Sequence, residues 1–301
     1  MKRVVSILMD IIAYLFNCYT IVSTTFYHQK QWSALIKTIK CDQHIHKIPL
    51  HLDFILLNIV FWIILFCSNY AFHQIVVFKT IKDIAVIDVE IYTQFVFGYL
   101  IFVVTGMLRS KYRYLRNFLE NYHQTFHTKS ISGDEFLLFM KKMEHVAYTL
   151  KESVDHFNDI FGIPLLLMIS YATLHFVNYI DDLFFFRFNP DKYYHFFISN
   201  VLVVSMIFLG NCMLIVMCDS VLKEALKVVG FAYKLRKNFP SALSRQRVEV
   251  NEFIDFVIRN FPKFSAAGFF DIDRSTIFKL LGTVTTLLIV MVQFDTNNTG
   301  I

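Results

Sequence analysis

Five polar side chains recur along one apolar stretch near the end of the chain. Ser275 to Phe294 reads STIFKLLGTVTTLLIVMVQF, in which Thr276, Lys279, Thr283, Thr286 and Gln293 follow steps of three and four, Val290 filling the gap before Gln293. Such steps place residues on one face of a helix. Hydroxyl and amide groups in hydrocarbon need partners or water. The stripe therefore faces either protein or a wet path. For the threonines a third reading stays open, a bond back to the carbonyl four residues earlier. Lys279 lies 15 residues before Phe294, roughly 22 Å along a helix. That places it towards one interface of the bilayer, where a lysine either snorkels or meets the path.

Other chemistry finds no residues to carry it. No nucleophile–base pair, Gly-rich phosphate loop or heavy carboxylate cluster is present, so no catalytic residue, no cofactor and no enzyme activity is expected. His44 and His46, with His28 and His51 nearby, lack a partner at metal-ligand spacing and read as a solvated loop. The five cysteines (Cys18, Cys41, Cys67, Cys212, Cys218) show no paired spacing and read as buried, inert thiols. No nucleic-acid motif accompanies the net charge of +5, which fits basic loops facing anionic membrane lipid.

The elements that must position the stripe follow from composition. The 301 residues have a mean hydropathy of +0.48, and 55% are hydrophobic against 18% charged. A soluble domain carries about a quarter charged residues. The expected fold is an all-α polytopic membrane protein with six spans, at about residues 4–27, 54–78, 91–108, 160–180, 193–218 and 275–294. The first competes with a signal peptide, against which stand Asp10 inside the run and the lack of a small-residue cleavage site. The loops after the first, third and fifth spans hold 22 Lys and Arg, against six on the opposite side. The basic side is cytoplasmic by the positive-inside rule, which puts both termini outside.

The long basic loops are not linkers. Apolar residues from Ile131 to Phe157 recur at helical spacing and run into the fourth span; Val221 to Phe239 and Val248 to Phe264 are also amphipathic. They either lie on the membrane surface or, as the large aromatics on their apolar faces favour, extend the spans into the cytoplasm and pack there.

The last span resembles a known family. Thr286, Leu287, the apolar run Leu288 to Val292, then Gln293 and Phe294 are similar to the Thr-Tyr, five apolar residues, Gln-Phe ending of the insect gustatory receptors, with Leu287 in place of the Tyr. SAAGFFDIDRS (Ser265 to Ser275) and FNDIFGIPLLL (Phe157 to Leu167) resemble that family as well. The family has seven spans and an inside N-terminus. Alignment from the C-terminus leaves its first helix without a counterpart, as a shortened gene model or isoform would.

What the resemblance implies is a tastant-gated, non-selective cation channel in the plasma membrane of chemosensory neurons, with an extracellular C-terminus. Subunits assemble as homo- or heterotetramers, and the last helix lines the pore. On that reading Thr276, Thr283, Thr286, Val290, Gln293 and Phe294 are pore-lining or gate residues; Gln293 reads otherwise as an interfacial amide. The pocket for a small-molecule tastant lies in the outer halves of the preceding helices. Its candidates are Asn69, Tyr70, His73, Gln94, Phe95, Tyr171, His175 and Asn178, aromatics with a few polar groups that suit a small amphipathic ligand and also suit ordinary packing. The partners are then a tastant, other receptor subunits and membrane lipid, with no nucleic acid and no metal. The related odorant receptors, and a transporter or scaffold with a dry stripe, are the alternatives. Asn297-Asn298-Thr299 is a glycosylation sequon too close to the membrane for modification.

Overall fold

Three helices are far longer than a bilayer requires. In the computed structural model α4 (Ile81–Thr128), α5 (Gly133–Phe186) and α6 (Pro190–Asn238) run 48, 54 and 49 residues. At 1.5 Å per residue α5 is about 80 Å long, against a hydrocarbon core of about 30 Å. The structure describes residues 2–40, 50–73, 81–128, 133–186, 190–238 and 244–298. Before these come α1 (Lys2–Val22), a π-helical turn (Ser23–Tyr27), α2 (Gln29–Lys40) and α3 (Leu50–His73); after them come α7 (Ser244–Arg259), the short strands β1 (Ser265–Ala266) and β2 (Phe270–Asp271), and α8 (Arg274–Asn298).

Among the described residues five helices are long and apolar enough to cross a membrane, within α1, α3, α4, α5 and α6. The sixth span of the sequence reading corresponds to α8, whose last turns include side chains outside the described set. The fourth and fifth spans extend as expected. The third extends as well, beyond the expected end at Leu108. Charges begin there, yet Tyr112, Leu115 and Leu119 keep the helical period and are buried. With no Gly or Pro to stop it between Arg109 and Thr128, the helix continues.

These extensions form the base of the molecule. Leu115 and Leu119 of α4, Phe136, Met140 and Phe157 of α5, Val221, Val228 and Ala232 of α6, and Val250 and Phe253 of α7 belong to one buried cluster. The apolar segments are thus packed on one another rather than spread on a surface. Charge is paired across the same region: Arg116 Nη1 on α4 donates to Glu224 Oε2 on α6 at 2.9 Å, and Lys227 reaches the other oxygen at 2.8 Å.

The β1–β2 hairpin joins this base to α8. Ser265 pairs with Asp271 and Ala266 with Phe270. The turn takes positive φ at Ala267 (52°) and Gly268 (77°), and Phe269 N donates to Ala266 O at 3.0 Å. Asn158 on α5 holds the hairpin from both ends of its amide: Nδ2 donates to Lys263 O at 2.7 Å and Oδ1 accepts from Ser265 N at 3.0 Å. Away from the base the packing loosens. A smaller cluster around Phe61, Ile91, Tyr171 and Ile207 is flanked by two cavities.

Candidate functional site

The first cavity is polar. It has a volume of about 250 Å³ and gathers Ser6 and Asp10 from α1, Ser68 and Asn69 from α3, Asp88 and Glu90 from α4, Tyr171, His175 and Asn178 from α5, and Asn200 from α6. Each polar residue sits in an otherwise apolar helix. Asp88 and Glu90 are half-buried and Asp10 is exposed; lipid offers a carboxylate nothing, which favours the cavity side. Asn69 Nδ2 donates to Asp88 Oδ2 at 2.7 Å and ties α3 to α4. Tyr171 and His175, one turn apart, hold their rings 5.6 Å apart, and His175 Nδ1 is buried with no hydrogen-bond partner.

The second cavity lies alongside, sharing Ile91, with a volume of about 230 Å³. Leu57, Phe61, Phe95, Met168, Met206 and Leu214 make it apolar. Its amides are Gln94 and Asn211, both buried. Asn211 Nδ2 donates back to Ile207 O at 2.9 Å, which leaves Oδ1 buried without a partner. A stack of Phe61 on Phe95, with centroids 4.5 Å apart, stands in its wall.

The pocket residues expected from the sequence are therefore divided. Asn69, Tyr171, His175 and Asn178 line the polar cavity; Gln94 and Phe95 line the apolar one. Tyr70 lines neither: it is 65% exposed, turned about 100° from Asn69 by one helical step. The side chain of His73 lies outside the described residues, as do His44 and His46. Asp10, Asp88 and Glu90 were missed. Their signal is in the sequence: Asp10 interrupts the first span, where it argues against a signal peptide, and Asp88 and Glu90 stand just before the third. Among the described residues no group of His, Cys, Asp or Glu is placed to hold a metal ion.

On α8 the stripe is divided as well. Asp273 caps the helix, with Oδ1 accepting from Thr276 N at 3.2 Å, and Thr276 Oγ1 accepts from Asp273 N at 3.2 Å in return. This reciprocal pair is a capping box with threonine in the third position. Thr276 Oγ1 also donates to Asp271 O at 3.1 Å, and the residue is 2% exposed. Thr276 thus leaves the set of path-lining residues, because the helix start consumes its hydroxyl. Lys279, Thr283, Thr286 and Gln293 are exposed and Val290 is half-buried; the side chain of Phe294 is outside the described residues. Thr283 and Thr286 donate back to Lys279 O and Gly282 O, each at 3.0 Å. Their hydroxyls follow the local alternative while their face stays open. The opposite face is closed: Val284 is buried with Val177 of α5, and Leu287 and Leu288 pack beside them.

α5 therefore touches both places. Tyr171 and His175 face the polar cavity, while Phe176, Val177 and Ile180 meet α8. The 7tm chemosensory receptor family matches residues 2–298. The chain belongs to that family. This chemosensory receptor is also 35% identical over 81 residues to gustatory receptor 68a of Drosophila melanogaster, a stretch covering 27% of the receptor and 21% of that relative. Both matches agree with the resemblance read from the last span, and with a multi-pass membrane protein. The family is not one of enzymes.

Proposed function

We propose that this receptor is one subunit of a tastant-gated, non-selective cation channel in the plasma membrane, with its C-terminus outside. Subunits, identical or mixed, surround an axis lined by the open face of α8. The observation that supports this is the position of α5 between cavity and α8. A ligand in the cavities holds α5 in one of two placements, and Val177 carries that placement to Val284. The ligand gates only through its differential affinity for the two states. Lys279, Thr283, Thr286 and Gln293 stand on the unpacked side of α8, as residues beside a wet path must. Phe278 and Ile289 are also exposed, on a largely apolar face whose one threonine, Thr285, bonds back to Leu281 O at 2.9 Å, and that face suits lipid or a neighbouring subunit.

Cysteine substitution along α8 tests the reading in cells expressing the full chain. Reagents restricted to water should modify Thr283→Cys and Thr286→Cys and alter current, and spare Phe278→Cys and Ile289→Cys. Equal labelling of all four, or none, with no effect on current, overturns the pore. Gln293→Ala should change the ligand concentration for half-maximal current while surface expression holds.

A further inference from the structure

We infer that the polar cavity takes a small organic ammonium compound, an inference that rests on the reading of the cavities as a ligand site. Among the described residues its lining holds three carboxylates, Asp10, Asp88 and Glu90, and no lysine or arginine. Asp88 is met by the amide of Asn69. Asp10 and Glu90 make no ion pair with another described residue. Glu90 is half-buried with Asp10, itself exposed, as a like-charged neighbour, and an uncompensated acid so placed in an apolar bundle is costly unless a cation joins it.

Two further groups point to an occupant. Tyr171 is only 5% exposed, lines the cavity and makes no hydrogen bond to another described residue. His175 Nδ1 is buried and equally without a partner. A ligand with both a cationic head and a hydroxyl satisfies the acids and these polar atoms together, and the Tyr171 ring offers a face to the charge. The carboxylates do not converge on one point that could hold a metal ion. They are spread around about 250 Å³, room for a small organic molecule rather than a bare ion.

The test compares choline with its neutral isostere, 3,3-dimethyl-1-butanol, on the purified full chain in detergent at constant ionic strength. Thermal unfolding is followed as a function of ligand concentration. Choline should stabilise the receptor with at least about tenfold tighter apparent affinity than the alcohol, since a charge pair at low effective dielectric exceeds that factor. Glu90→Gln and Asp10→Asn should each reduce the preference, either variant serving where the other fails to fold. Equal affinity for the two compounds, or a choline preference that both variants retain, overturns the ammonium inference and leaves the cavity as a ligand site. Stabilisation by neither compound overturns the inference together with the site.

Discussion

Val177 on α5 is buried against Val284 on α8, and Phe176, Ile180, Leu287 and Leu288 close around the pair. This contact joins α5, one of the helices that line the polar cavity, to the helix with the open polar face. Without a hydrophobic drive between helices in lipid, such a contact depends on close packing. Val177→Ala should cost about 1–2 kcal/mol of stability. More specifically, it should separate ligand binding from current. Binding measured on the purified chain should change little, while the maximal current falls. A double-mutant cycle with Val284→Ala should show strong non-additivity in current; simple additivity would place the coupling elsewhere.

Gly162 and Gly230 make opposite predictions from the same substitution. A β-carbon at Gly162 would stand 3.0 Å from Ala267 N and 3.3 Å from Ser265 O, both backbone atoms of the hairpin. Asn158, one turn earlier, prevents the hairpin from moving off. At Gly230 on α6 nothing lies within 4 Å of the added carbon. Gly→Ala in a helix gains about 0.5–1 kcal/mol from backbone entropy alone. Gly230→Ala should therefore raise the melting temperature. Gly162→Ala should lower it, and should also increase proteolytic cleavage near Gly268 as the hairpin is displaced.

The contrast between spans and site shows what the sequence could carry. Hydropathy gives the height of Asn69, Tyr70 and Gln94 along α3 and α4, because rise per residue is fixed. It does not give their direction around the bundle, which depends on where five other helices stand. Tyr70 therefore points away, and Gln94 enters a different cavity from Asn69. On α8 the period correctly separated Thr283 and Thr286 from Val284. It could not show that Thr276 sits at the third helical position, since the cap is made by Asp273 and the hairpin before it. The acids Asp10, Asp88 and Glu90 were legible as anomalies in apolar segments. Their sharing of one cavity needed α1 and α4 to be side by side.

The cap of α8 carries a pH dependence. The Ser275 hydroxyl, donating to Asp273 Oδ1 at 2.6 Å, is the largest cause of a carboxyl held below the ordinary aspartate range; slight burial opposes it, and the Thr276 backbone N–H and Lys279 add to it. A depressed value in the folded state means stability that is fully present above the unfolded aspartate range and lost as pH falls through the folded value. Asparagine still caps a helix, so Asp273→Asn keeps the cap and removes the charge. The wild-type receptor should be more stable than this variant at neutral pH, and the two should converge under acid. Asp273→Ala should lose about 1 kcal/mol at neutral pH through the missing cap. Melting curves of all three across that range check the sign.

Glu224 tests whether the base is held by charge or by packing. Its side chain is 5% exposed and bonded by Arg116 at 2.9 Å and Lys227 at 2.8 Å, while Lys227 itself is mostly in the open. Arg116→Met removes the inter-helix partner and leaves a buried carboxylate with one donor. Stranding a buried charge is strongly unfavourable, but Lys227 softens it, so about 2 kcal/mol is the expected loss. Replacing both members, Arg116→Met with Glu224→Leu, removes the desolvation cost along with the attraction and should recover most of that loss. Recovery in thermal unfolding would mean that the surrounding Leu115, Val221 and Val228 hold α4 to α6, and that the ion pair fixes which turn of one helix meets which turn of the other. A double variant as unstable as the single one would instead make the pair itself the main bond between these helices.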